Sequence, residues 1–474
     1  MELELLRQNF ESAGQGHVFK YFNELDEAEK NTFLKQLEQI DLREIDELKA
    51  TLLKGNSKIA LDFSKLEPAP FKPLPQNRAL DEEWRKAKEV GEEAIRAGRL
   101  AAFVVAGGQG TRLGFNAPKG LYKITPVMNK SLFNVFAEKI LSASRKYGVR
   151  IPWLIMTSHI NDAATRAYFE ENSFFGLNRD DVIFFTQGLM PAVDSEGKFI
   201  LEDKGKIVMT PDGHGGCLRA MCRSGAIAEL DRRGIDCISY FQVDNPLVDI
   251  IDPYFLGFHI LGKSEMSSKM IPKAYPSEKV GHFCVLDGKY CVVEYSDLPK
   301  EYQEMRNADG SLKFVAGSVA THILDAAFVS KLGGGSSTMK LPFHRADKKI
   351  PYLDSDGKLV KPEKPNGVKF EMFVFDALPM AKSPVIIEGA RADEFSPVKN
   401  AEGLDSPQTC KKHQKAQFAR WLKAAGENIE VDSEGVPSIN VEVSPLFASN
   451  VSDFVERWKA LNTKPKISDG LYIA

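Results

Sequence analysis

The sequence predicts an α/β fold with a central doubly wound, Rossmann-like, mostly parallel sheet and smaller regions at both ends of the chain. Three observations predict it. Short apolar runs at Leu100–Val105, Trp153–Met156, Val182–Phe185 and Ile238–Val243 have the length of strands buried on both faces. Helical stretches separate the first run from the second, the second from the third and the third from the fourth, the alternation of parallel βαβ units. Polar, glycine-rich sequences follow the runs, where open parallel sheets bind ligands.

The elements follow in order. Residues 1–98 read as a helical N-terminal region: Asp41 can cap a helix, with Glu44 three residues on and Leu42, Ile45, Leu48 and Leu52 at helical spacing before Gly55. Glu67–Pro75 is proline-rich and reads as a stiff connector. A helix is expected from Asp81 to about Ala97, stopped by Gly98. The central domain then spans 99–400, with Ser131 capping a helix that buries Val135, Phe136, Ile140 and Leu141. Between about 263 and 350 the pattern loosens into short strands such as Tyr290–Tyr295 and turns such as Gly333–Ser337. Residues 401–474 are expected to form a small C-terminal domain with a helix around Trp421 and a strand at Ile439–Val443.

Composition bounds the function. The 474 residues are 43% hydrophobic and 27% charged, with 30 Phe to fill a large core. A net charge of −3, from 62 basic and 65 acidic residues, argues against general nucleic-acid or anionic-membrane binding. The six cysteines form no CxxC pair and fit reduced, buried thiols. No apolar run reaches the roughly 20 residues needed to cross a bilayer, and the acidic Met1–Phe10 is no signal peptide. A cytoplasmic protein is expected.

The strongest chemical signal is Ala106-Gly107-Gly108-Gln109-Gly110-Thr111-Arg112-Leu113-Gly114, followed by Pro118-Lys119-Gly120. Glycines directly after a strand let backbone N–H groups approach an anion, and Arg112 and Lys119 add mobile positive charge. Phosphoryl chemistry requires that combination of positioning and charge neutralisation. A P-loop is excluded because the lysine precedes its glycine. A dinucleotide fingerprint is excluded because Gly114 falls one place late.

Two further features point the same way. Pro211-Asp212-Gly213-His214-Gly215-Gly216 can present backbone donors and an imidazole, the latter as a general base or as a partner of a sugar hydroxyl. Asp244 leaves the end of the Ile238–Val243 strand, a position from which a carboxylate can hold Mg²⁺ against phosphate oxygens. Gln187, Glu294, Tyr295, Lys369 and Lys399 are weaker candidates. The histidines and cysteines have no zinc-ligand spacing, and there is no GxSxG elbow.

Together these motifs resemble the UTP-dependent sugar-1-phosphate uridylyltransferases, and most of all the eukaryotic-type UDP-N-acetylglucosamine pyrophosphorylases. The resemblance covers nearly the whole chain: Ala13-Gly14-Gln15, Thr186-Gln187-Gly188, Pro211–Gly216, Val243-Asp244-Asn245, Val292–Ser296, Lys348–Tyr352, Pro365–Asp376 and Asp393–Asn400 recur in the family's order. It implies a nucleotide-diphospho-sugar transferase fold, Mg²⁺ as cofactor, and UTP with a sugar-1-phosphate as substrates. By position, Val105, Ala106, Gly107, Gly108 and Lys119 would hold the UTP phosphates, with Arg112 neutralising pyrophosphate. Gln187 would read the uracil, Gly213 would lie against the nucleotide, and Lys369 would reach the phosphates. Asp244 would serve the nucleotide and its metal. His214, Glu294 and Tyr295 would line the sugar, and Lys399 would contact its phosphate.

Two departures bear on the sugar. The resemblance implies Asn where this chain has His214, and FNAGN where it reads Phe314-Val315-Ala316-Gly317-Ser318. N-acetylglucosamine-1-phosphate is the expected substrate. UDP-glucose, UDP-galactose or broad UDP-sugar synthesis is the alternative, and a catalytically silent nucleotide-sugar sensor a second. A site that loses a side chain built to bond one substrate group loses discrimination for it.

Overall fold

The computed structural model describes residues 3–53, 62–334 and 339–474. Its residues pack into two compact units, each threaded three times by the chain. The first comprises Met1–Ser64, Gln187–Cys217 and Lys340–Asp376; the second comprises Lys65–Thr186, Leu218–Met339 and Ala377–Ala474.

The first unit is built on helices α1 (Leu3–Ser12), α2 (Glu27–Glu38) and α3 (Leu42–Leu48). Asp41 caps α3 by accepting from Arg43 and Glu44 N–H, and a wider π-type turn, Lys49–Leu53, carries Leu52 onward. Gly55 lies outside the described residues. Phe10, Phe19 and Phe33 close a core with Phe199, Val368 and Phe370 from the two later segments. The buried Gln15 amide joins the segments, donating to Gly197 O (2.8 Å) and accepting from Phe199 N–H (2.9 Å). Gln36 does the same with Ile207. The Ala13-Gly14-Gln15 motif is therefore a structural joint.

The second unit holds a ten-stranded sheet. Its strands are β1 (Leu66–Pro68), β2 (Leu100–Val105), β3 (Trp153–Thr157), β4 (Val182–Thr186), β5 (Cys237–Gln242), β6 (Met266–Pro272), β7 (Gly281–Leu286), β8 (Lys289–Val293), β9 (Ala316–Asp325) and β10 (Val385–Glu388). The doubly wound part is parallel, in the order β5-β2-β3-β4. It continues antiparallel through β9 and β7 to β1. β6 pairs antiparallel with β9 and parallel with β10, and β8 pairs with β7. The four strands expected from apolar runs are all present within one residue of their expected ends. The Glu67–Pro75 connector differs: its start is an edge strand, β1, and Lys72 bridges Ile387. Proline is tolerated there because an edge strand can spare an N–H.

Helices cover the sheet: α4 (Glu82–Arg96), α5 (Leu132–Tyr147), α6 (Asp162–Glu171) and α7 (Pro253–Leu261). Asp81 caps α4 and Ser131 caps α5 through side-chain acceptors, as their positions before apolar periodic runs predict. Helix α4 belongs with the sheet rather than with α1–α3. Gly333 closes the helix Ala326–Gly333, and residues 335–337 of the expected turn lie outside the described residues. At the C-terminal end, α8 (Pro407–Ala424) and α9 (Val451–Ala460) share a separate apolar cluster around Trp421, Phe454 and Trp458. Within it Val441–Val443 pairs with Leu471–Ile473. Among the described residues no helix is long and apolar enough to cross a membrane. All six cysteines are free thiols.

Helices α4 and α7 cross at two glycines. A Cβ on Gly91 would sit 1.9 Å from Pro253 O, and one on Gly257 would sit 1.7 Å from Ala87 O. Neither helix backbone can yield without opening the layer over the sheet. Gly257→Ala should destabilise the protein by about 2 kcal/mol, within the range for overpacked cores. The urea unfolding midpoint measures this, and an unchanged midpoint would refute the close crossing.

Candidate active site

The glycine-rich loop leaves β2 and folds back on itself. Gly110 N–H donates to Ala117 O (3.0 Å) and Lys119 N–H to Gly108 O (3.1 Å), so Gly108–Gly110 lies beside Ala117–Lys119. The glycines serve different ends. A Cβ on Gly110 would strike Phe115 at 2.8 Å, and one on Gly120 would enter the Phe133 ring at 2.0 Å. A Cβ on Gly108 would meet nothing within 4 Å, so no protein atom demands glycine there. The space is open to a ligand. Among the described residues no backbone acceptor takes the N–H of Gly107 or Gly108.

A buried residue absent from the expected set shapes this loop. Asn161 Nδ2 donates to Ala106 O (2.9 Å) and Gly108 O (3.4 Å), while its Oδ1 accepts from Ser158 N–H (2.7 Å). Holding the loop's carbonyls leaves its N–H groups available to an anion. Its only sequence signal is a polar residue just after β3.

Charge converges beside the loop. Lys119 Nζ lies 3.7 Å from Asp244 Oδ2, and both side chains are about 15% exposed at most (14% and 15%). Burial pushes the Lys119 amine below its ordinary value; Asp244 opposes the shift, while Arg112 and Lys399 add to it. Three cations thus share one neighbourhood with the Asp244 carboxylate. Lys399 reaches it from far along the chain, through Val398 N–H donating to Asp244 O (2.8 Å). Asp405, also absent from the expected set, lies near Lys399; burial pushes its carboxyl up against the pull of that lysine.

Glu294 and Ser318 form a second group in the same unit. Gly281 pairs with Ser318 across β7 and β9. The position of a Gly281 Cβ is 3.3 Å from Glu294 Oε1 and 3.7 Å from Ser318 Cβ. Because β9 runs antiparallel to β5, with His322 opposite Tyr240, Ser318 lies toward the end at which β5 delivers Asp244. Tyr295 is 39% exposed, and its carbonyl accepts from Gln303 Nε2 (3.0 Å).

Gln187, Gly213, His214 and Lys369 belong to the first unit. Asp212 organises them. The ideal Cβ positions of Gly188 and Gly216 lie 2.3 and 2.1 Å from its carboxylate oxygens, so the two glycines exist to admit that side chain. Its N–H donates to Gly188 O (3.2 Å), and its carbonyl accepts from Met372 N–H (2.8 Å). One residue therefore ties the buried Gln187 turn, the Pro211–Gly216 loop and the Lys369 strand. A Cβ on Gly213, at φ 84°, would strike Met372 O at 2.3 Å. Lys369 lies opposite Ala346, on the face away from the buried Val368 and Phe370.

His214 is half-buried, and its ring stacks on Phe373 at 5.3 Å. His344 stacks on the same Phe373 at 4.5 Å and bonds Asp376 Oδ2 (2.7 Å) through Nε2. Val374 N–H donates to His214 Nδ1 (3.2 Å), which places the ring proton on Nε2. Burial, aided by the His344 charge, pushes His214 down to about 4. The ring is a neutral hydrogen-bond donor, so of the two roles open to it the general base is the poorer fit.

A family model described as UTP–glucose-1-phosphate uridylyltransferase matches residues 46–455. The UDP-N-acetylhexosamine pyrophosphorylase-like protein 1 of Xenopus tropicalis is 38% identical, over 94% of this chain and 91% of its own. The UDP-N-acetylglucosamine pyrophosphorylase of Saccharomyces cerevisiae is 37% identical, over 94% and 96%. A solved structure of the uridine diphosphate N-acetylglucosamine pyrophosphorylase from Trypanosoma brucei, in complex with inhibitor, aligns with TM-score 0.80 and 28% identity, over 99% of this chain and 98% of its own.

Histidine-selective ¹⁵N NMR should find a ring, lost in His214→Asn, that stays neutral with its proton on Nε2 until about pH 4. Titration near 6.5 would contradict the half-buried, stacked geometry. An unfolded chain protonates this ring at its ordinary value, so acidification from 6.5 to about 4 favours unfolding. His259 and His282, pushed down to about 4 by burial, act with the same sign.

Proposed function

Since the chain belongs to the UTP–glucose-1-phosphate uridylyltransferase family, we propose that it joins UTP to N-acetylglucosamine-1-phosphate, forming UDP-N-acetylglucosamine and releasing pyrophosphate. The observation that carries the site assignment is the gathering of Arg112 and Lys399 around Lys119, itself 3.7 Å from Asp244, beside the open Gly108 loop. A silent sugar-nucleotide sensor would not require that excess of positive charge.

The reaction is an in-line displacement. A phosphate oxygen of the sugar-1-phosphate attacks the α-phosphorus of UTP, the bond to the bridging oxygen breaks, and pyrophosphate carries away the electron pair. The attacking oxygen is already anionic near neutral pH, so no base is needed. The obstacle is bringing two anions together. In this reading Val105, Ala106, Gly107 and Gly108 receive the UTP phosphates, and Lys119 screens them. Arg112 neutralises the departing pyrophosphate, and Lys399 draws in the sugar phosphate. Gln187 and Gly213 hold the base and nucleotide, and Lys369 reaches the phosphates.

Asp244 suits Mg²⁺ that arrives with the nucleotide. Among the described residues no three His, Cys, Asp or Glu side chains cluster as a metal cage, and Mg²⁺ is commonly held by one or two carboxylates plus substrate phosphates. Bound there, the ion would screen phosphate charge.

The sugar rests on relatives named for N-acetylhexosamine or N-acetylglucosamine. His214 and Ser318 favour a second reading, a UDP-hexose, because both stand where the resemblance implies asparagine. With its proton on Nε2, His214 can donate to a sugar oxygen.

A pyrophosphate-release assay with UTP and the 1-phosphates of N-acetylglucosamine, N-acetylgalactosamine, glucose and galactose tests both readings. The highest kcat/KM is expected with N-acetylglucosamine-1-phosphate. A preference for glucose-1-phosphate would reverse the sugar assignment, and no turnover with any sugar would remove the catalytic reading.

A further inference from the structure

Lys399 acts at a distance of more than a hundred residues in sequence from Lys119 and Asp244, and it lies on a segment without regular structure between helix Arg391–Glu394 and α8. Something must fix that segment if its charge is to be felt at Lys119. The buried side chain of Asn245, next in the chain to Asp244, spans the gap. Its Nδ2 donates to Glu394 O (2.7 Å), and its Oδ1 accepts from Ser396 N–H (3.0 Å). Beside it Val398 N–H donates to Asp244 O (2.8 Å). Three hydrogen bonds therefore strap residues 394–398 to the end of β5, and the amide of Asn245 makes two of them.

The strap is anchored from both sides. The Glu394 carboxylate pairs with the buried Lys269 of β6, which also pairs with Asp252 (2.6 Å). From the other side, Ser396 Oγ bonds His413 Nδ1 of α8 (2.8 Å). Asn245 joins the strand that carries Asp244 to this anchored segment through its side chain. An asparagine fits because one planar group must donate to a carbonyl and accept from an N–H two residues away. Aspartate has the acceptor but no donor.

We propose that Asn245 is a positioning residue that holds Lys399 in register with Asp244 and Lys119, so that the two halves of the charge cluster act on one reaction. This rests on the reading that Lys399 meets the sugar phosphate. Asn245 touches no substrate and acts only through the placement of the 394–399 segment. Asp244 leaves directly from β5 and keeps its place without the clamp, so the defect falls on the sugar-phosphate side.

The test is a double-mutant cycle on the full chain with Asn245→Ala, Lys399→Ala and the pair, assayed with UTP and N-acetylglucosamine-1-phosphate. Asn245→Asp is a same-shape second variant in case the alanine fails to fold. Asn245→Ala should lower kcat/KM for the sugar phosphate by about a hundredfold, the scale of a small misplacement of a catalytic group. KM for UTP should be unchanged, and the substitution should add no further loss once Lys399 is alanine. Asn245→Asp should fall between wild type and Asn245→Ala. Hydrogen exchange of the Ser396 amide should rise in Asn245→Ala. Unchanged exchange or fully additive losses would overturn the clamp. A wild-type rate in Lys399→Ala, with exchange still raised in Asn245→Ala, would instead overturn the role given to Lys399, and with it any catalytic consequence of the clamp.

Discussion

Positive charge gathers where the parallel strands end, with the Lys119 side chain largely withdrawn from water and Arg112 exposed, and much of the surrounding structure answers to it. Lys119 sits 3.7 Å from Asp244, with the charges of Arg112 and Lys399 close enough to push its amine further below the ordinary value. Two carboxylates, Asp244 and Asp405, face three cations there. An arrangement of that sign is costly in an empty protein and is relieved by a polyanion. The nucleotide triphosphate and the sugar phosphate are both polyanions. A cation-rich strand end suits the phosphate-bearing substrates of the reaction to which family membership points.

Short polar contacts keep the surrounding pieces in place. Asn161 turns the carbonyls of Ala106 and Gly108 toward itself, leaving amides for an anion. Asp212 fills space that Gly188 and Gly216 leave for it, and so connects Gln187, His214 and Lys369 within the first unit. His214, stacked on Phe373 and bonded by Val374, is preset as a neutral donor. In each case a group proposed to touch a ligand is fixed by a neighbour to which no contact is assigned. That is how a site keeps its geometry before substrate arrives.

The sequence made the sheet legible because strands buried on both faces are continuous apolar runs, and β2 has the limits Leu100–Val105 that its run suggested. The glycine-rich loop was legible for a similar reason: its glycines and cations are close neighbours in the chain. Packing across long sequence separations was not legible. Glu67–Pro75 resembles a linker, yet β1 is held by pairing with β7. Asn161, Asp212 and Asn245 have roles defined by partners far away in the chain, and a lone Asn or Asp carries no local mark of such a partner. Gln187, Gly213 and Lys369 carry no local sign that three separate stretches build the unit that holds them.

The claim on which the rest depends is that the buried amine of Lys119 screens the phosphates during transfer. Steady-state pyrophosphate release by Lys119→Ala, beside a thermal unfolding curve of the same protein, tests it most directly. The account predicts a normal unfolding temperature and a loss of turnover of at least about a hundredfold, the scale for removing one electrostatic stabiliser of a transition state. A folded Lys119→Ala protein that turns over at the wild-type rate would contradict it.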